Sequence, residues 1–167
     1  MESTLETALT TNHKSAMLSY IDEHPESFEE LIQLTISDKQ CYSWRAAWLL
    51  SICMEENDPR IQKHVVTMIQ LLPNSKESQQ RELMKIILLM EIEEDFEGIL
   101  FDHCLTIWQN TKKQGSVRYY AFKMLLKITK KHPDLIQEFL SILDIQYLDS
   151  LTPGIKNSIR KRVKGLV

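Results

Sequence analysis

The sequence predicts an all-α fold built from stacked antiparallel helical hairpins. An arginine beside apolar residues opens a helix-forming stretch three times, at Arg45, Arg81 and Arg118, and these positions lie 36 and 37 residues apart. That interval is typical of repeats that each contain one helical hairpin. Apolar side chains recur at every third or fourth position, no segment alternates with the two-residue period of a strand, and the 167 residues include four glycines. We therefore expect nine or ten helices and no sheet.

The N-terminal part is predicted to form short helices. Ser3 and Glu6 have the spacing of a capping box, in which each side chain bonds to the backbone N–H group of the other residue. A second helix should cover residues 13–23. Pro25 cannot donate a hydrogen bond inside a helix, so it should begin the next one and complete a hairpin over about residues 12–36.

The first full repeat is predicted to span residues 38–72. Its first helix, from Asp38 to about Glu56, has apolar or small residues at spacings of three and four, which indicates a buried stripe. The members of this stripe are Cys41, Trp44, Ala47, Trp48, Ser51 and Ile52. Pro59 marks the start of the partner helix. The expected buried residues of the partner are Ile61, Val65, Met68, Ile69 and Leu72.

Two more hairpins should follow, over about residues 75–110 and 115–145, separated by the loop-like stretch 111–115. The expected inner residues of the second hairpin are Leu83, Ile86, Ile87, Met90, Leu100, Cys104, Ile107 and Trp108. Those of the third are Val117, Tyr120, Ala121, Met124, Leu125, Ile128, Leu135, Ile136, Phe139, Leu140 and Leu143. A basic terminal helix over residues 153–165 completes a single domain that spans residues 1–167.

The charges are distributed unevenly along the chain. The net charge is −3, yet residues 1–150 carry 15 basic and 23 acidic side chains, whereas residues 151–167 carry five basic side chains and no acidic one. An acidic body argues against extensive nucleic-acid binding, because each phosphate that is neutralised requires a nearby cation. The basic segment at the C-terminal end keeps that option open.

The cysteines and the N-terminal residues point to the cytoplasm. Cys41, Cys53 and Cys104 are odd in number and far apart, and we expect them on apolar helix faces as buried, reduced thiols. The first residues, MESTLE, lack the positive charge and the apolar run of a signal peptide. No apolar run is long enough to span a bilayer. We expect a cytoplasmic protein with no membrane contact.

The period, the hairpin spacing and the proline-marked turns resemble those of HEAT and armadillo repeat proteins. The resemblance covers residues 12 to about 145, and the stretch 43–50, SWRAAWLL, is also similar to short bacterial HEAT-like proteins of unknown function. It implies a right-handed superhelix, or α-solenoid, of about four antiparallel hairpins with a C-terminal capping helix. The chain departs from the usual HEAT pattern, because it has no proline inside the first helix of each pair and no regular aspartate and arginine ladder.

The sequence contains none of the common catalytic or ligand-binding motifs. Glycine-rich phosphate loops, Gly-x-Ser-x-Gly, His-Glu-x-x-His, Cys-x-x-Cys and the calcium-loop spacing are all absent. His103 and Cys104 are adjacent, so their side chains diverge by about 100° on a helix and cannot both ligate one metal without distortion. The acidic turn at 93–95 is better explained as a solvated helix start. We predict no catalytic residue, no cofactor and no metal.

Two groups of residues are candidates for binding. The first consists of the three repeat arginines, Arg45, Arg81 and Arg118, which successive repeats would place in a row, together with Trp44 and Trp48 one helical turn apart. A guanidinium can bind a carboxylate or phosphate through two hydrogen bonds. The alternatives are that each arginine bridges to an acid of a neighbouring hairpin with its stem packed on apolar surface, and that the tryptophans fill the core.

The second group is the set of cations in the terminal helix, which could contact an acidic partner or nucleic acid. Its members are Lys156, Arg160, Lys161, Arg162 and Lys164. Capping of the stack and the helix dipole account for part of this charge.

Two functions are compatible with these features. The first is a non-catalytic scaffold or adaptor that binds another protein, as a monomer or weak dimer. The alternative is nucleic-acid binding through the arginine row and the basic helix, in the style of HEAT-like DNA alkylation repair proteins. An enzyme would need a convergent cluster of acids and histidines, and the five histidines are scattered along the chain.

Overall fold

The all-α prediction is confirmed. A computed structural model describes residues 3–39, 41–164 and 166, and these residues form α-helices and short 3-10 turns without any strand. They divide into two compact units, Met1–Ile92 and Glu93–Val167. The capping predicted at the N-terminus is present, because the Ser3 N–H donates to Glu6 Oε2 at 2.8 Å and the Glu6 N–H donates to Ser3 Oγ at 3.1 Å. Pro25 begins a 3-10 turn ahead of the next helix, as expected.

The first unit contains seven of the described helices. They are α1 (Thr4–Thr11), α2 (Lys14–Glu23), α3 (Phe28–Thr35), α4 (Ser43–Cys53), α5 (Pro59–Gln62), α6 (Val65–Leu71) and α7 (Glu77–Leu88). α4 packs against both α3 and α7, and their facing side chains are fully buried. This small core includes Leu31, Ile32, Ala46, Ala47, Leu50, Leu83, Ile86 and Ile87.

The second unit contains the remaining five described helices. They are α8 (Glu94–Gln109), α9 (Gly115–Lys131), α10 (Ile136–Ser141), α11 (Ile145–Leu148) and α12 (Pro153–Val163). α8 and α9 form its central hairpin, and Trp108, Phe122 and Phe139 meet in its core with ring centroids less than 6 Å apart. The predicted terminal helix begins as expected, whereas its last residue, Gly165, lies outside the described residues.

The described residues form twelve α-helices instead of nine or ten, because the predicted partner helix over 59–72 is interrupted and because a short helix, α11, follows the third hairpin. The segment after Pro59 breaks where the His64 N–H donates to the Ile61 carbonyl, a tighter 3-10 bond that displaces the α-helical pattern. The partner helix of the third hairpin, α10, ends at Ser141 with a similar bond from the Leu143 N–H to the Leu140 carbonyl, and α11 begins at Ile145. The predicted inner residues of the 59–72 segment are nevertheless buried.

The expectation that all three cysteines are buried is correct only for Cys104. Cys104 is fully buried, and burial raises the pKa of its thiol well above the usual range. Cys53 is half-buried and Cys41 is exposed. Cys41 lies outside α4, because this helix begins at Ser43 and not at Asp38 as predicted.

Candidate functional site

The outward side of α4 carries a row of large apolar side chains. Trp44 is 37% exposed, Ile52 is 40% exposed, and Trp48 between them is half-buried. The spacing of four residues places the three side chains on one helix face. We refer to Trp44, Arg45, Trp48 and Ile52 as the α4 face.

The prediction of which α4 residues form the buried stripe is wrong. Only Ala47 of the predicted members is buried, and the side that packs consists mainly of small and branched residues. The buried residues of α4 are Ser43, Ala46, Ala47, Leu49 and Leu50. Because small residues allow neighbouring helices to approach closely, α4 docks on its alanine side, and the bulky tryptophans remain on the side facing solvent.

Arg45 belongs to the α4 face. Its guanidinium carbon lies 5.5 Å from the centre of a Trp44 ring, which is within the range of a cation–π interaction. No ion pair of Arg45 is found among the residues that the structure describes. Its hydrogen-bond donors therefore remain available to a ligand that docks beside the tryptophan.

Arg81 is placed differently from Arg45. It is half-buried on α7, where its Nε donates to Glu82 Oε1 at 2.9 Å. Glu82 is 1% exposed and also accepts from Lys85 at 2.8 Å. Arg81 thus compensates a buried carboxylate. This agrees in part with the alternative that each repeat arginine bridges to an acid of a neighbouring hairpin, but here the acid is on the same helix.

Arg118 is an interior residue, which corrects its assignment to a binding surface. It is fully buried in the second unit, and its guanidinium donates to two main-chain carbonyls and one hydroxyl. The acceptors are the carbonyls of Trp108 at 2.8 Å and Tyr147 at 2.5 Å and the Ser150 Oγ at 2.7 Å. Burial lowers the pKa of the guanidinium. Arg118 therefore joins the start of α9 to the end of α8 and to the segment around α11.

Four buried carboxylates that are paired with bases were not expected from the sequence. The pairs are Glu6 with Lys39, Asp58 with Arg60, Glu82 with Arg81 and Lys85, and Glu97 with Lys131 and His132. The capping box and the Asp58-Pro59 helix start were the available signals for two of them. A hydrogen bond from Arg60 is the main cause that lowers the pKa of Asp58. In each pair a base compensates the charge of a buried carboxylate.

Glu97 is paired with two residues that are distant in the sequence. It accepts from Lys131 Nζ at 2.7 Å and lies 2.5 Å from His132 Nε2, 34 and 35 residues away. Burial alone would raise the pKa of Glu97, but the hydrogen bonds and charges of these two partners lower it overall. The carboxylate therefore fixes the end of α9 against α8.

The basic terminal helix, α12, exposes most of its cations. Arg160, Lys161 and Lys164 are exposed, and Arg162 donates to the Tyr119 hydroxyl at 3.1 Å. Lys156 lies 3.8 Å from the Asp149 carboxylate. A groove of about 440 Å³ runs beside this helix. Its lining consists of Leu143, Leu148, Ile159, Arg160, Val163 and Lys164.

The comparison with protein families identifies the architecture. The sequence model of the family described as HEAT repeat domain matches residues 1–166. The chain belongs to this HEAT repeat family. Neither the curated proteins nor the solved structures that were compared include a match. The resemblance inferred from the period is confirmed, and the match extends beyond the residues on which it was based.

HEAT repeats are commonly scaffolds for protein interactions. Within the part of the chain that the structure describes, no three His, Cys, Asp or Glu side chains come together in a way that could hold a metal ion. None of the described helices is long and apolar enough to cross a membrane. The exposed groups that are best suited to recognition are the α4 face and the α12 cations.

Proposed function

We propose that this HEAT chain is a scaffold that binds another protein, without catalysis of its own, and that the α4 face is a contact surface. The observation that carries the proposal is the exposure of Trp44 and Ile52 in one row with Trp48 on a helix whose opposite side is fully packed. Contiguous exposed apolar side chains on a folded domain are typical of interaction sites.

The residue types of the α4 face are those that contribute most to protein interfaces. Tryptophan and arginine are enriched among the residues whose truncation weakens binding most. Trp44 and Arg45 supply both, and the cation–π contact between them limits their conformational freedom. Because α4 is packed between α3 and α7, its backbone is already ordered, and binding of a partner would cost little free energy for ordering it.

The same placements weaken the case for nucleic-acid binding through an arginine row. Arg118 is buried, Arg81 is paired with Glu82, and the α4 face offers aromatic and aliphatic surface around the single guanidinium of Arg45. Retention on a DNA column would distinguish the two functions. Retention that falls steeply with added salt would favour nucleic acid, and its absence at low salt would remove that alternative.

We further propose that residues 1–167 act as one repeat domain in the cytoplasm, as a monomer or weak dimer. The family match over residues 1–166 supports the first part of this proposal. Three free thiols support a reducing compartment, because they form no disulfide framework.

Affinity capture from the source organism tests the contact surface. The bait is compared with a double variant, Trp44→Ser with Ile52→Ser, and with a control in which the exposed Ile145 is replaced by serine. We expect a protein that the original chain and the control retain and the double variant loses. Recovery of the same proteins by all three baits, or of none by any bait, would contradict the proposal. Circular dichroism confirms that each bait is folded.

A further inference from the structure

The groove beside α12 combines aliphatic walls with cations, which suits a different ligand from that of the α4 face. Leu143 and Leu148 form one side, and Ile159 and Val163 of α12 form the other. Arg160 and Lys164 complete the lining, and both are exposed. We call this site the α12 groove.

We propose that the α12 groove binds an acidic amphipathic helix of a partner protein. The apolar stripe of that helix lies between the aliphatic walls, and its carboxylates bond to Arg160 and Lys164. This contact is separate from the α4 face and does not depend on it.

The spacing of the two cations matches one turn of a helix. Arg160 lies in the last turn of α12, and Lys164 is the helical C-cap residue four positions later, so the two are separated by about 6 Å along the helix axis. Acidic residues four positions apart on a docked helix have the same separation. Ile159 and Val163 precede the two cations by one residue each, which places the apolar wall beside the charged one. The groove can therefore recognise an apolar stripe and a carboxylate row together.

The charges that line the groove have no internal partner among the described residues. Neither Arg160 nor Lys164 forms an ion pair there, whereas Lys156 lies near Asp149 and Arg162 donates to Tyr119. α12 itself carries no acidic residue. The groove is thus electrostatically complementary to a carboxylate-bearing partner.

The shape and apolar lining distinguish this occupant from three others. Nucleic acid would use the cations, but its phosphates would leave four aliphatic side chains without a complement. A membrane surface takes up protruding apolar side chains, whereas this site is concave. A second copy of the chain offers an acidic cleft of about 420 Å³ in its second unit, and that surface is also concave. A protruding amphipathic helix satisfies both the shape and the charge.

A designed peptide tests the proposal directly. It has about 18 residues, or ~27 Å of helix, with leucines at helical spacing flanked by glutamates, and it carries a fluorescein label. Fluorescence anisotropy measures its binding to the full chain. We expect saturable binding that weakens about tenfold or more when the same residues are shuffled to destroy the stripe, or when lysines replace the glutamates. Equal affinity for all three peptides would overturn the proposal.

A pair of double variants locates the site. Arg160→Glu with Lys164→Glu should weaken binding of the acidic peptide about tenfold, while the α4-face variant leaves it unchanged. The matched control, Lys161→Glu with Lys112→Glu, changes the net charge equally at two exposed positions outside the groove lining and should alter affinity less than about twofold. Circular dichroism verifies that both variants remain helical.

Four results would contradict the assignment. The first is equal weakening in the two double variants, which would indicate an unspecific charge effect. The second and third are tighter binding of a DNA duplex, or of vesicles containing phosphatidylserine, with loss of that binding in the groove variant. The fourth is self-association in sedimentation velocity that the groove variant abolishes.

Discussion

At the scale of single residues, the repeat arginines occupy three different environments. Arg45 lies beside an exposed tryptophan, Arg81 compensates a buried glutamate, and Arg118 is enclosed in the second unit. The three arginines therefore mark the repeat period, but each of them has a different structural role. The difference depends on what each side chain contacts, and for Arg118 two of those contacts are 29 and 32 residues away.

Replacement of Arg118 by leucine should destabilise the fold strongly. It removes three hydrogen bonds and leaves the buried Trp108 carbonyl and the partly buried Tyr147 carbonyl without this donor, so we expect a loss of about 2–4 kcal/mol in the free energy of unfolding. Arg45→Leu, at a half-exposed position, should change it by less than about 0.5 kcal/mol. Urea denaturation measures the free energy of unfolding of both variants. Equal effects in the two variants would show that the buried placement of Arg118 is wrong.

Glu97→Gln should destabilise the protein in a manner that depends on pH. The pKa of Glu97 is lowered below the ordinary value of 4.5, so its ionised form stabilises the folded state above that pH. This contribution is lost as the pH falls through the lowered pKa of the folded state. The stability difference between Glu97→Gln and the original chain should therefore be full near neutral pH and shrink below pH 4.5.

Chemical denaturation at a series of pH values measures this difference. Glu94→Gln, at an exposed position on the same helix, serves as the control and should show little difference at any pH. A difference for Glu97→Gln that stays constant through the acidic range would contradict the ionised pair with Lys131 and His132.

At the scale of elements, α4 shows that hydrophobic periodicity predicts a helix but not which of its faces is buried. Its sequence contains two stripes at helical spacing, one with tryptophans and one with alanines and leucines, and spacing alone does not show which of them is buried. The choice depends on the space available between α3 and α7, which is a property of the packed unit. Helix type, order and most inner faces follow from local patterns, whereas the orientation of α4 does not.

A comparison of two substitutions tests this orientation. Ala47→Leu adds bulk to the buried side of α4 and should cost about 1–3 kcal/mol of unfolding free energy. Trp44→Ala removes a much larger side chain from the partly exposed side and should cost less than Ala47→Leu. Thermal or urea unfolding measures both. A larger loss for Trp44→Ala would mean that the tryptophan stripe is the packed one.

At the scale of the whole molecule, the family and the charge distribution could be predicted from the sequence. The candidate binding sites could be predicted only in part. The interval between the repeat arginines led to the HEAT family, which the match over residues 1–166 confirms. The sequence indicates Trp44, Trp48 and Arg45 as candidates for binding but does not indicate their exposure. The α12 groove was not foreseen, because its walls come from segments that are separate in sequence.

Photo-crosslinking from the α4 face tests whether this surface contacts a protein partner. A benzophenone amino acid is placed at position 44, 48 or 52 in the full chain and, as a control, at the exposed position 145. After irradiation in cells, mass spectrometry identifies the crosslinked species. We expect the same protein partner from all three α4 positions and not from position 145. Crosslinks to nucleic acid alone, or an identical set of proteins from position 145, would contradict this expectation.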